Sequence, residues 1–239
     1  AEAGALAMLC VRVLRAMGSR AMEWREVTRR FAGFGPGSAP VMGATAALVG
    51  AILVVQAGLY VRRFGVQELV GWFVGFGVLR EVGPLLAGLV FSGRVGSRNA
   101  AEIASMATRG QLDGLRAIGV DAIPVVVAPR ALAMFGSLLS LYFVGVAVAL
   151  LTAAGAAWAL LDVDGYQFWR SFEARTRPED LVAGLAKSGA YAIAVALVSC
   201  RAGLAAEGGA AAVGDAAKRS VVRSAFAIVV LDLVVANFT

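Results

Sequence analysis

Residues 78–130 read VLREVGPLLAGLVFSGRVGSRNAAEIASMATRGQLDGLRAIGVDAIPVVVAPR. Up to Phe91 this is the second half of an apolar run, residues 69–91, which matches the ~20 residues that cross ~30 Å of hydrocarbon. Arg80 and Glu81 sit near the middle of that run. A charge at that depth costs at least ~2.5 kcal/mol even on insertion scales, so both side chains must face protein or water. Adjacent helix positions point ~100° apart, so the two cannot simply neutralise each other and at least one needs a partner from elsewhere. Pro84 removes the backbone bond to the Arg80 carbonyl and predicts a kink. After SGRVGS (92–97) the chain turns polar, and Thr108-Arg109-Gly110-Gln111 has the form of a capping box, predicting a short helix that starts at Thr108. Leu112, Leu115 and Ile118 give that helix a narrow apolar stripe, and Gly119 supplies its stop. At ~15 Å it is too short to cross a bilayer. It either projects towards another protein or packs on its own bundle, and spacing leaves both open.

Working outward, the 239 residues are 59% hydrophobic and only 16% charged, against about 25% charged in a soluble domain. Further runs at 41–61, 125–150, 181–200 and 221–238, the last continuing past Asp232, bring the total to about five spans. The chain therefore reads as an all-α membrane protein of one domain, 1–239, with an interfacial helix in 1–31 and a five-span region in 41–238. The net charge of +6 is topogenic and not a nucleic-acid signal, since it carries no aromatic interleaving. Arg12, Arg15, Arg20, Arg25, Arg29 and Arg30 precede the first span, and Arg94, Arg98, Arg109 and Arg116 follow the second. Lys218, Arg219 and Arg223 precede the fifth, whereas Asp162, Asp164, Glu173, Glu179 and Asp180 make the third connection acidic. This distribution places the N-terminus in the cytoplasm and the C-terminus outside. Cys10 and Cys200 then lie near the cytoplasmic face as free thiols. The first residues lack the charge and apolar pattern of a cleaved leader, so the first span directs insertion itself.

Leu6, Leu9, Val13 and Met17 recur at helical spacing with Arg12 and Arg15 off the stripe, as in a helix lying in the interface. AGFGPGSAP (32–40) breaks the helix ahead of the first span. In DVDGYQFWRSFEARTRPED (162–180), Tyr166, Phe168, Trp169 and Phe172 suit either an aromatic belt at headgroup level or a docking surface for an outer partner. GLAAEGGAAAVGDAAKR (203–219) reads as a small-residue cytoplasmic loop. The chain has no histidine, and no phosphate-binding loop surrounds Lys187 or Lys218, its two lysines. No catalytic residue, metal ligand set or cofactor site is therefore expected. Lys187 and Asp232, opposite in sign and similar in depth, are expected to clamp the fourth span to the fifth.

The motifs LREVGP (79–84), SGRVGS (92–97), AAEIASM (100–106), QLDGLRAIGVD (111–121) and Pro129-Arg130, followed by AKSGAYAIAVALVS (186–199) and KRSVVRSAFAIVVLD (218–232), make the chain similar to the MlaE/YrbE family of ABC-transporter permeases. The resemblance implies a homodimeric permease of the bacterial inner membrane that moves phospholipid or another hydrophobic lipid between membranes. ATP and Mg would be bound by a cytoplasmic ABC ATPase partner, an MCE lipid-binding protein would sit on the outer face, and some systems add a STAS-domain protein. It also implies an ATPase-coupling segment at 97–119, with Glu102, Met106, Gln111, Leu112, Leu115 and Gly119, and a central lipid cavity drawing on Gln56, Tyr60, Arg80 and Glu81. Arg109-Gly110 departs from relatives that carry a larger or acidic residue before the coupling glutamine, and Gly110 loosens the turn by up to ~1 kcal/mol. Two rival readings remain. One is a passive channel or scaffold lined by mid-membrane charges; the other is a lipid-modifying enzyme using Arg80, Glu81 and Asp232. ATP-independent flux would mark the first, and lipid turnover by the protein alone the second.

Overall fold

The computed structural model describes residues 2–17, 24–65 and 67–237, all helix or short connection with no strand among them. Arg20 and Phe238, used above to place the first and last spans, lie outside the described residues, as do the side chains of Leu6 and Met17. In chain order the helices are α1 (Glu2–Met17), α2 (Trp24–Phe34), α3 (Ala39–Phe64), α4 (Val70–Phe76), α5 (Val82–Phe91), α6 (Ser97–Thr108), α7 (Gln111–Ala117), α8 (Ala128–Leu161), α9 (Gly165–Arg175), α10 (Pro178–Leu204) and α11 (Ala210–Ala236).

Among the described residues four helical stretches are long and apolar enough to cross a membrane: Trp24–Val61, Gln67–Thr108, Ile123–Leu161 and Pro178–Leu204. The protein is an all-α integral membrane protein. The fifth expected span falls on α11, which at 27 residues is ~40 Å long but carries Lys218, Arg219, Arg223 and Asp232 and stands outside the apolar set. The expected loop 203–219 is corrected: α10 runs to Leu204 and α11 starts at Ala210. Alanine is the best helix former, so this Ala-rich segment needs only a short connection. The break at 32–40 is a 3₁₀ turn, Pro36–Ser38, between α2 and α3.

Two of the long stretches contain wide turns of π-helix: in Gln67–Thr108, Gly77–Glu81 joins α4 to α5 and Ser92–Gly96 joins α5 to α6, and in Ile123–Leu161, Ile123–Val127 leads into α8. Such turns widen the helix by one residue and re-aim the side chains around them. The first precedes Pro84, which has no N–H to offer the Arg80 carbonyl. There the Val82 N–H reaches back five residues to the Gly77 carbonyl.

The chain gathers into two compact units, one of residues 1–38, 88–138 and 189–238 and the other of 39–87 and 139–188. The second unit buries Val54, Ala57 and Val61 of α3, Val70 and Val74 of α4 with Val78 beyond it, Ala149, Ala153 and Ala157 of α8, and Phe168 of α9. The spacing of three or four residues on each helix makes one apolar stripe per element. Trp169 packs edge-on against Phe168 and Phe172, with centroids 5.6 and 5.7 Å away. Of the aromatic belt expected at 162–180, Phe168 is therefore core, while Tyr166 stays exposed. In the first unit, Leu9 and Val13 of α1 are buried and Arg12 pairs with Asp121 at 2.9 Å. α11 lies against α6, and the Ser220 hydroxyl donates to the Gly96 carbonyl at 3.3 Å.

Candidate functional site

The wide turn Gly77–Glu81 brings Arg80 and Glu81 into a row of four charges within the second unit. The Arg80 guanidinium bonds Asp180 Oδ1 at 3.2 Å and lies 3.7 Å from Glu81 Oε1, and Lys187 Nζ donates to Glu81 Oε2 at 2.7 Å. Signs alternate along Asp180, Arg80, Glu81 and Lys187, so the row sums to zero. Pairing of this kind is the condition for burying a charge such as Lys187, which is fully enclosed. Asp180 also accepts from the Arg177 N–H at 3.0 Å, and Arg80 lies over the Phe76 ring at 5.6 Å. Lys187 forms its ion pair with Glu81, and the Asp232 carboxylate accepts from the Tyr191 hydroxyl at 2.5 Å. Depth along a span does not fix azimuth, so the sequence did not point to Glu81 as a partner of Lys187.

Two contacts hold this turn in place. The Tyr142 hydroxyl donates to the Leu79 carbonyl at 2.6 Å. Gly184 of α10 lies so close that a Cβ there would stand 2.0 Å from the same carbonyl oxygen.

Two recesses flank Trp72 in the same unit. The first, of about 400 Å³, is apolar and walled by Ala57, Tyr60, Val61, Phe64, Val70 and Phe73, with the Tyr60 and Phe73 rings 6.1 Å apart. The second, of about 500 Å³, is polar and walled by Phe76, Arg80, Arg175, Arg177, Glu179 and Asp180. Of the expected cavity residues, Tyr60 and Arg80 each border one of these recesses, Glu81 lies in the charge row, and Gln56 is exposed on α3.

The first unit holds the second cluster. Glu102 on α6 receives Arg98 at 2.9 Å, Arg130 at 3.0 Å and Arg30 of α2 in a short contact. Arg130 is almost fully buried and also donates to Asn99 Oδ1 at 3.2 Å, while the Asn99 amide donates to Ser199 Oγ at 2.9 Å. Arg30 in turn holds Glu26 at 2.6 Å. Met106 touches the same cluster, its Sδ 3.8 Å from the Arg130 guanidinium.

The expected capping box is corrected. The Thr108 hydroxyl donates back to the Ser105 carbonyl at 3.3 Å, ending α6, and the residue before α7 is Gly110 at φ +70° without a side-chain cap. Gly110 thus makes the turn that the threonine was expected to make, because it alone there adopts a left-handed conformation without strain. The other end follows the sequence: Gly119 has φ +76°, its N–H reaches Arg116 at 3.0 Å, and the Val120 N–H reaches Leu115 at 2.9 Å, a Schellman closure. Along α7, Leu112 is buried and Leu115 half-buried, whereas Gln111 and Ile118 are exposed, Ile118 by 73%.

The sequence reading missed Asp180, Tyr142, Asn99, Arg130 and Arg30 as site residues. Asp180 could have been found, because Arg177-Pro178-Glu179-Asp180 carries the Pro at the first helical position and an acid in the first turn that mark a helix start. The others contact groups far away in sequence and leave no local sign.

Comparison with known proteins agrees with this architecture. The family described as "Permease MlaE" matches residues 27–238. A probable ABC transporter permease protein of Rickettsia conorii is 30% identical over 198 residues, covering 83% of this chain and 76% of that protein. A probable ABC transporter permease protein of Synechocystis is 33% identical over 199 residues, 81% of this chain and 74% of its own. The chloroplastic protein TRIGALACTOSYLDIACYLGLYCEROL 1 of Arabidopsis thaliana is 29% identical over 226 residues, 95% of this chain and 64% of that protein. With membrane-crossing helices, a neutralised row of charges and a match across most of its length, this chain belongs to the MlaE permease family and is a transporter permease.

Proposed function

We propose that the chain is the membrane subunit of a lipid transporter, working as a pair of identical copies with ATP and Mg²⁺ bound by a separate cytoplasmic ATPase. The chain itself catalyses no reaction in this reading and forms a single permease domain in a bacterial inner membrane, N-terminus inside and C-terminus outside. An MCE-domain protein receives or delivers lipid on the outer face, with a STAS-domain protein on the ATPase in some assemblies. The observation that carries the lipid reading is the pair of recesses, one apolar and one cationic, on either side of Trp72 of a membrane-crossing stretch. An amphiphile offers the same two surfaces side by side. A relative named for trigalactosyldiacylglycerol, a glycolipid, supports it.

In the same reading α7 and its exposed Ile118 contact the ATPase, and Gly110 and Gly119 bound a short rigid peg. Glu102 acts behind that contact: it ties α6 to α2 and to Arg130, so that a push on α7 reaches the long helices as one body.

The test is reconstitution of the chain with its ATPase in vesicles containing a fluorescent phospholipid. ATP-dependent transfer to acceptor vesicles, lost on Leu115→Arg while the chain stays folded, is the expected result. Transfer that proceeds equally without ATP, or that survives Leu115→Arg, overturns the reading.

A further inference from the structure

The polar recess beside Trp72 has a charge pattern that the row of paired charges leaves unused. Asp180 and Arg80 engage each other, and Asp180 also holds the Arg177 N–H. The guanidiniums of Arg175 and Arg177 and the carboxylate of Glu179 line the same recess, and among the described residues none of the three side chains makes an ion pair. Thr176, between the two arginines, also lines it. A neighbouring recess of about 400 Å³ shares Arg80 and Glu179 and is otherwise walled by Pro178, Val182, Ala183 and Ala186, which are apolar. Volumes of this size fall in the range of ligand sites.

Resting on the lipid-transport reading, we propose that this double recess is a docking site for a zwitterionic glycerophospholipid. The phosphate lies at Arg175 and Arg177, the headgroup amine at Glu179, and an acyl chain runs along Val182, Ala183 and Ala186. The charges select the class. Two guanidiniums suit a phosphate, for which arginine provides paired donors. A third charge of opposite sign at the rim repels a second anion and attracts an ammonium. A headgroup with phosphate and amine satisfies all three, whereas a headgroup with phosphate alone leaves Glu179 facing it.

The experiment uses the full chain in detergent and calorimetric titration with dihexanoyl phosphatidylethanolamine, dihexanoyl phosphatidylglycerol and inorganic phosphate. The expected result is at least tenfold tighter binding of the ethanolamine lipid than of the glycerol lipid, and no comparable binding of inorganic phosphate. Arg175→Gln with Arg177→Gln weakens both lipids tenfold or more, and Arg175→Lys with Arg177→Lys retains most of the affinity. Glu179→Gln removes the preference by weakening the ethanolamine lipid alone. Unchanged lipid binding in the double Gln variant, a preference that survives Glu179→Gln, or inorganic phosphate binding as tightly as the lipid would each overturn the site. ATP-driven transfer by the wild-type assembly, measured in parallel, separates the two levels. Transfer without the expected binding pattern removes this site and leaves the function standing, whereas absence of transfer removes the function itself.

Discussion

Replacing Glu102 with Gln tests whether this residue is an internal hub. The substitution keeps the side-chain shape and removes one negative charge from among three guanidiniums. The Arg98 arm is cheap: its side chain is 62% exposed and pairs four residues along one helix, a contact worth about 0.3–0.5 kcal/mol. The Arg30 arm is partly insured, because Arg30 keeps Glu26 at 2.6 Å. The Arg130 arm decides the outcome. That side chain is 4% exposed, and breaking a buried pair by removing one partner costs about 3–5 kcal/mol. Glu102 is 29% exposed, so water relieves some of the loss and the low end applies, giving a total of roughly 3–4 kcal/mol. Thermal unfolding of the purified protein in detergent, followed by circular dichroism, converts this to a fall in Tm of roughly 6–16 °C at about 2–4 °C per kcal/mol for a chain of this size. Arg98→Ala should lower Tm by less than about 2 °C. Arg130→Met removes the buried charge itself, so the double variant with Glu102→Gln should regain at least ~2 kcal/mol relative to additivity. Equal losses for Arg98→Ala and Glu102→Gln, or strict additivity with Arg130→Met, would refute the reasoning.

The remaining predictions concern the two helix turns and the charge row. Gly184→Ala places a Cβ against the Leu79 carbonyl and should destabilise by about 1–3 kcal/mol as overpacking does, read as a lower Tm; an unchanged Tm would show that α10 yields there freely. Gly119→Ala puts a side chain at φ +76° and should cost about 1–2 kcal/mol, seen as faster amide exchange in α7 with little change elsewhere. Lys187→Met and Glu81→Gln should each destabilise but lose much of their separate effect when combined, because they break the same 2.7 Å pair; full additivity in unfolding measurements would count against that pairing.

Several features could be read from the sequence because they depend on near neighbours. Gly119 stops α7 as expected, since a left-handed residue after an apolar stripe is a local device. AGFGPGSAP interrupts the helix because Pro36 and the glycines around it disfavour regular helix at that point. Thr108 misled for the same reason that makes capping boxes hard to read. Its hydroxyl had a competing acceptor one turn back, the Ser105 carbonyl, and Gly110 could turn the chain without help. The sequence showed that Arg80 and Glu81 required partners but could not say which ones.

By itself the sequence determined that this chain is helical, that it crosses a membrane, that four intramembrane charges had to be accommodated and that a short helix follows the second span. Those are consequences of hydrocarbon thickness, the cost of burying charge and local backbone preference, and each acts within a few turns of chain. The tertiary structure decided the pairing: Lys187 with Glu81, Arg80 with Asp180, and Glu102 with three arginines from α2, α6 and α8. Pairing depends on azimuth as well as depth, and a wide turn that adds one residue to a helix rotates every side chain beyond it.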